Sequence, residues 1–267
     1  MLKDITLGQF FPGDSYVHKL DPRTKLIVVV LYIVALFCAV SWVSYLTVFL
    51  FLAACISISG IPLKSITRGL KPVMFIVIFT GVLNLFFTEG STEIFTIFGF
   101  TLTWEAVERA FFMVGRIMML ITGTFLLTYT TSPIALTDGL ESLLSPLKRV
   151  KFPVHELSMM MCIALRFIPT LIEETDKIMS AQKARGADFE TGSLMERAKA
   201  LIPILVPLFI SAFRRADELA IAMECRCYQG GEGRTKLKQL HYTRLDFTAY
   251  GFGAVLLLGV WLLSMMG

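Results

Sequence analysis

Charge is scarce in this sequence. Asp, Glu, Lys and Arg supply 17% of the 267 residues against 55% for the apolar types, and mean hydropathy is +0.69. Soluble domains carry about 25% charged residues, so this balance argues against a water-solvated fold and makes lipid the expected solvent for the apolar surplus. Net charge is only +4, and no nucleic acid partner is expected from so small an imbalance. Cysteine is sparse and odd in number (Cys38, Cys55, Cys162, Cys225, Cys227). That rules against a closed disulfide framework and leaves small buried side chains or free thiols in a reducing compartment. Histidine is rarer still. His18, His155 and His241 have no ligand spacing to the Cys225-x-Cys227 pair, which reads as two small buried thiols, and His155-Glu156 lacks the second histidine of a zinc-protease motif. Residues 230–235 are glycine-rich but lack the Walker A spacing and lysine, and they follow a helix instead of a strand. No Ser/His/Asp or paired-carboxylate arrangement stands out. The expectation is a chain with no catalytic site, metal or cofactor of its own. The polar first 25 residues also lack the basic-then-apolar pattern of a signal peptide, so the first span is expected to serve as its own insertion signal.

What the sequence has instead is long uncharged runs. No charge falls between Lys25 and Lys64, a stretch too long for one helix because about 20 residues cross a bilayer. It divides at Ser41-Trp42-Val43-Ser44 into spans at 26–40 and 45–58. A loop at 59–71 carries Lys64, Arg68 and Lys71 with Gly60 and Pro62 as breakers, and a third span covers 72–87. Residues 88–109 hold Glu89, Glu93, Glu105 and Glu108 against Arg109 alone; a fourth span runs 110–131, interrupted by Arg116, and a last one 246–266. Basic residues favour the cytoplasmic side. Five spans with the N-terminus inside place Lys3, Lys19, Arg23 and Lys25, the second loop and the long charged region in the cytoplasm, with the C-terminus outside. This predicts a multi-pass membrane protein.

Residues 132–244 differ in character, with sixteen Lys/Arg and thirteen Asp/Glu interleaved with apolar residues at helical spacing. Leu136, Leu140, Leu143, Leu144 and Leu147 mark one apolar helix face. Two longer helices are expected at 154–183, with Pro169 as a kink, and at 194–229, kinked near Pro203 and Pro207. They read as helices lying along or partly inside the cytoplasmic leaflet. The fold class is therefore all-α: a polytopic membrane helical bundle of about five spans with long amphipathic cytoplasmic helices. The expected divisions are transmembrane helices at 1–131, cytoplasmic or interfacial helices at 132–245 and a C-terminal transmembrane helix at 246–267.

Both long helices end on an arginine between small residues. In Ala184-Arg185-Gly186 the glycine suits the left-handed residue that closes a helix. In Cys225-Arg226-Cys227 the following Gly230-Gly231 is expected to stop the helix. A cation in a last turn complements the helix dipole and binds head-group phosphates, which is the bland reading of either arginine alone. Two small-Arg-small triplets on two long helices point instead to paired docking, because small neighbours allow close approach while the guanidinium forks onto a carboxylate.

These triplets, together with Ala164-Leu165-Arg166-Phe167-Ile168-Pro169-Thr170-Leu171 and Arg226-Cys227-Tyr228-Gln229-Gly230-Gly231, resemble the CbiQ/EcfT family, the transmembrane coupling component of energy-coupling factor transporters, a class of ABC importer. The resemblance covers essentially the whole chain. It implies that Ala184, Arg185 and Gly186 dock on one ABC-type ATPase subunit and Cys225, Arg226 and Cys227 on a second. It also implies a membrane-embedded substrate-binding (S) subunit as the third partner and uptake of vitamins or other micronutrients. The second triplet departs from the family's Ala-Arg-Gly form at both flanks. The rival class is a self-sufficient secondary transporter or channel, which needs midplane polar groups and inverted repeats. Only Arg116 and Asn84 stand inside spans, Arg116 reads as structural, and no repeat is detectable. Met159, Met160 and Met161 are ordinary gap-filling core or, on the sharper reading, a plastic face for alternative S subunits.

Overall fold

The structure is a computed structural model that describes residues 10–87, 93–97, 100–189, 191, 193–231 and 239–266. Four sequence expectations lie outside these residues: Lys3 of the N-terminal basic group, Glu89 of the third loop, positions 232–235 of the glycine-rich stretch, and the terminal Gly267. The described elements are α1 (Tyr16–Lys19), α2 (Pro22–Cys38), α3 (Trp42–Ser59), α4 (Leu63–Phe87), strands β1 (Glu93–Ile97) and β2 (Phe100–Thr103), α5 (Trp104–Thr130), α6 (Pro133–Leu144) with a 3-10 segment (Ser145–Val150), α7 (Val154–Ala184), α8 (Leu194–Glu224) and α9 (Arg244–Met266). The fold is a polytopic helical bundle in which β1 and β2 form one short antiparallel hairpin. Contacts among the described residues divide them into a unit within 10–140 and 240–266 and a unit within 141–239, the division falling within α6.

In the first of these units the uncharged run breaks where the sequence predicts, Ser41 separating α2 from α3. Gly60 closes α3 at φ 70°, a left-handed conformation open to glycine at no steric cost. The expected loop at 59–71 is mostly helix, because α4 already begins at Leu63. Pro62 acts as a helix opener, and Lys64, Arg68 and Lys71 lie at i, i+4 and i+7 on an exposed face while Ile66 and Leu70 are buried. Pro72, expected at the start of the span, lies inside the helix. The third loop is shorter than expected as well, since α5 opens at Trp104 with the Thr103 side chain accepting from Ala106 N–H.

The last helix returns to the first. α9 packs on α2 and α3, and α4 packs on α5. Tyr32, Ala35, Leu36, Val48, Leu52, Met119, Leu256 and Val260 form the main core. Gly123 lets α5 approach Tyr32 so closely that a Cβ there would lie 2.5 Å from the ring, the small-residue contact typical of membrane helices. Asp246 fixes the other end. Fully buried, it accepts from Asp21 N–H at 2.8 Å, Thr243 N–H at 2.7 Å and the Thr243 hydroxyl at 2.7 Å, while Asp21 accepts from Arg23 N–H at 2.9 Å. A buried carboxylate is tolerated when its oxygens are occupied in this way. Outside the core, Phe37, Phe49, Phe75 and Phe252 stand exposed among many other large apolar side chains, a surface that hydrocarbon solvates and water does not.

Five described helices are long and apolar enough to span a membrane: α3, α4, α5, α7 and α9. The set differs from the sequence reading in one member. α2, at 17 residues, lies at the lower limit of spanning length and packs against α5 and α9. α7 qualifies by length and composition although the sequence reading set it along the membrane surface.

The second unit is built on α7 and α8. Pro169 sits within α7, and Pro203 and Pro207 within α8. Ser193 and Glu196 form a capping box that opens α8. Glu174 of α7 bonds the Ser211 hydroxyl and the Arg215 guanidinium of α8, the latter at 3.1 Å, and Gln182 Nε2 donates to Pro203 O at 3.4 Å. Position numbers rising along one helix as they fall along the other make the pair antiparallel.

Candidate docking ends of the paired helices

The first arginine triplet closes α7. Arg185 N–H bonds Ala181 O and Gln182 O, Gly186 N–H bonds Lys183 O at 3.0 Å, and Ala187 N–H reaches back to Gln182 O at 3.0 Å. Gly186 has φ 87°. This is the Schellman closure, in which a left-handed residue lets two N–H groups satisfy the last free carbonyls.

The second triplet repeats it. Cys227 N–H bonds Glu224 O at 2.8 Å, Tyr228 N–H bonds Met223 O at 3.1 Å, and Cys227 has φ 54°. The expectation that Gly230-Gly231 stops this helix is corrected: α8 closes on Cys227, three residues earlier. A cysteine in the left-handed region crowds its Cβ against the following carbonyl, a cost of about 1–2 kcal/mol that glycine at 186 avoids. The two turns superimpose as hydrogen-bond patterns, each with its arginine immediately before the left-handed residue. The residue after each arginine therefore answers to backbone conformation first and to closeness of approach second.

Ala184, Arg185 and Gly186 are exposed, and so are Cys225, Arg226 and Cys227. The buried-thiol reading of the cysteine pair is thus overturned, because both thiols are free and exposed where the helix has ended. Neither guanidinium makes a hydrogen bond or ion pair among the described residues. The arginines stand at opposite ends of the antiparallel pair: Gln182 lies beside Pro203, and the helix from Pro203 to Glu224 spans about 30 Å at helical rise. Among the described residues no group of three or more His, Cys, Asp and Glu side chains is placed to hold a metal ion.

Gly230 and Gly231 have another use. Gly230 takes φ 95°, and a Cβ on Gly231 would lie 2.5 Å from the His155 ring. His155 Nδ1 is 3.1 Å from Glu141 Oε1, and the Ser158 hydroxyl donates to Glu141 Oε2 at 3.0 Å. The segment after the second arginine is thereby seated against the start of α7. No sequence signal marks Glu141, His155 and Ser158 as an anchor, since their spacing follows no motif. Of the methionines, Met160 and Met161 are exposed and Met159 is half-buried. Arg116 is structural: it donates to the Tyr45 hydroxyl at 2.9 Å and to Ala39 O at 3.1 Å, lies over the Phe37 and Tyr45 rings, and so caps the C-terminus of α2. Asn84 donates to Thr80 O and Met113 Sδ.

The family described as CbiQ, cobalt transport protein, matches residues 13–237. Similar proteins carry the name energy-coupling factor transporter transmembrane protein EcfT. That of Ruminiclostridium cellulolyticum is 52% identical over 265 residues, covering 99% of this chain and 98% of its own. That of Thermosediminibacter oceani is 55% identical over 249 residues, 93% of this chain and 94% of its own, and that of Bacillus subtilis 50% identical over 246 residues, 92% and 93%.

Proposed function

The chain belongs to the CbiQ family of transport proteins, and we propose that it is the coupling subunit of an energy-coupling factor importer. In this reading Ala184-Arg185-Gly186 and Cys225-Arg226-Cys227 seat in grooves on two cytoplasmic ATPase subunits. The chain itself is non-catalytic, and ATP hydrolysis belongs to those partners. Their motion on binding and hydrolysing ATP is carried by α7 and α8 to a membrane-embedded S subunit, which holds the vitamin or other micronutrient.

One observation carries the proposal. Two exposed arginines, unengaged among the described residues, occupy the same backbone turn at the two ends of one antiparallel helix pair. Matched turns aim matched guanidinium forks, and the helix between them transmits a displacement that a loop would absorb. The Glu174–Ser211–Arg215 tie keeps the two ends in a common frame. In this reading α7 lies at the cytoplasmic face and does not cross, because Glu156, Arg166, Glu173, Glu174, Asp176, Lys177 and Lys183 are spread along it. The spans are then α2, α3, α4, α5 and α9, with the N-terminus inside and the C-terminus outside the bacterial cell membrane, and the divisions at 1–131, 132–245 and 246–267 are those of membrane, coupling and membrane segments.

The test is ATP-driven uptake in proteoliposomes. Reversing Arg185 and Arg226 together to Glu is expected to abolish it with the chain still inserted in the membrane. Uptake at the wild-type rate in that double variant would refute the mechanism.

A further inference from the structure

A cavity of about 310 Å³ lies within the first unit, lined by α2, α3, α5 and α9 with Tyr16 and Val17 of α1. Val28, Val29, Phe51, Leu126 and Leu127 make its walls. The charged exception is Lys25, only 6% exposed, whose ammonium donates to His18 O at 3.1 Å and Thr130 O at 2.9 Å. An ammonium has three N–H donors, so one is left over in a chamber lined mostly by apolar side chains. The nearest carboxylates, Asp21 and Asp246, are already occupied by Arg23 and by backbone and threonine donors. Exposed Ala54, Ile58 and Phe252 stand at the rim, on helices whose outer surface is solvated by hydrocarbon.

A chamber this large cannot stand empty without forfeiting dispersion contacts along its lining. Water is a poor filler, because a buried water needs two to four polar partners and the lining offers few. The medium at the rim is hydrocarbon, and the one charged group in the lining is a cation with a spare donor. We propose that the cavity is a lipid site that takes one acyl chain of an anionic phospholipid, with the head-group phosphate held beside Lys25. The chain fills the space between α3 and α9, and the phosphate accepts the third Lys25 proton. The site is separate from the docking arginines, and its argument does not depend on them.

Photo-crosslinking tests this in the whole transporter complex, in bilayer nanodiscs of phosphatidylethanolamine and phosphatidylglycerol. The probes are phosphatidylglycerol and phosphatidylcholine, each bearing a diazirine in one acyl chain, and the adducts are mapped by mass spectrometry. Phosphatidylglycerol is expected to label Val28, Val29 or Leu126 about fivefold more than phosphatidylcholine does, the preference that one lysine near the membrane surface confers. Lys25→Gln should erase the preference while leaving some labelling, and Ala249→Phe, which fills the cavity, should remove labelling of these residues by either probe. The wild-type adduct map decides the matter even where a variant fails to assemble. Adducts confined to exposed residues such as Ile58 and Phe252, or equal labelling by both probes, would overturn the proposal.

Discussion

The two units spend their apolar residues differently. In α3, 28% of the apolar stretch is buried inside the protein; in α7 the share is 6%. The first has a continuous core closed by Asp246 and Arg116, whereas α7 and α8 are joined chiefly by Glu174, Ser211, Arg215 and Gln182. α8 leaves Leu201, Ile202, Leu205, Val206, Phe209, Ile210 and Phe213 exposed. A helix so apolar and so uncovered is completed by something outside the chain. One unit is thus built to hold its own shape, while the other leaves its apolar face open, as the proposed lever between subunits requires.

Substitutions sharpen this contrast. Leu36→Ala in the first core should cost about 2–5 kcal/mol through lost burial and a residual cavity, read as a lower melting temperature of the purified chain. Phe209→Ala on the exposed face of α8 should stay within about 0.5 kcal/mol in the same assay and instead weaken retention of partner subunits. Equal destabilisation by the two would erase the distinction. Asp246→Ala removes the acceptor of the buried Asp21 N–H and of two Thr243 donors and is expected to cost about 1–3 kcal/mol, measurable by the same melt; an unchanged melt would show that water replaces the carboxylate. Gly231→Ala, which drives a Cβ into His155, should cost about 1–3 kcal/mol as overpacking does. Its signature is faster proteolysis around residues 228–231, and wild-type protection there would count against the seating of this segment on α7. The smallest effect runs in the opposite direction. Cys227→Gly relieves the left-handed turn and should stabilise the closure of α8 by about 1 kcal/mol, with ATPase retention preserved. Loss of retention in that variant would mean that the thiol itself is recognised.

Which of these features the sequence revealed depends on the range over which each is determined. The break at Ser41, the span of α9 and the bounds of α7 follow from local periodicity and charge, and they were legible within a few residues. The early start of α4 was masked because its basic residues resemble a loop until they are seen to share one helix face. Arg185 was legible as a helix end because Gly186 advertises a left-handed residue. Arg226 was legible as a docking candidate but its turn was not, since cysteine gives no such signal and Gly230-Gly231 is the stronger one. The Asp21–Asp246 clamp joins residues 225 positions apart, and the Glu141–His155–Ser158 anchor has no motif spacing. Both are products of tertiary packing that no local pattern encodes. Whether α7 crosses the bilayer was the hardest to read, because its apolar content and its distributed charges argue in opposite directions.

The most direct measurement is retention of ATPase subunits by the tagged chain after gentle solubilisation, quantified by mass spectrometry for wild type, Arg185→Glu, Arg226→Glu and the double variant. Breaking one charged docking contact is worth about 3–5 kcal/mol, enough to release the subunit seated on it. Each single variant is therefore expected to lose one ATPase and keep the other, and the double variant to lose both. A double variant that retains both ATPases at wild-type stoichiometry would contradict the account.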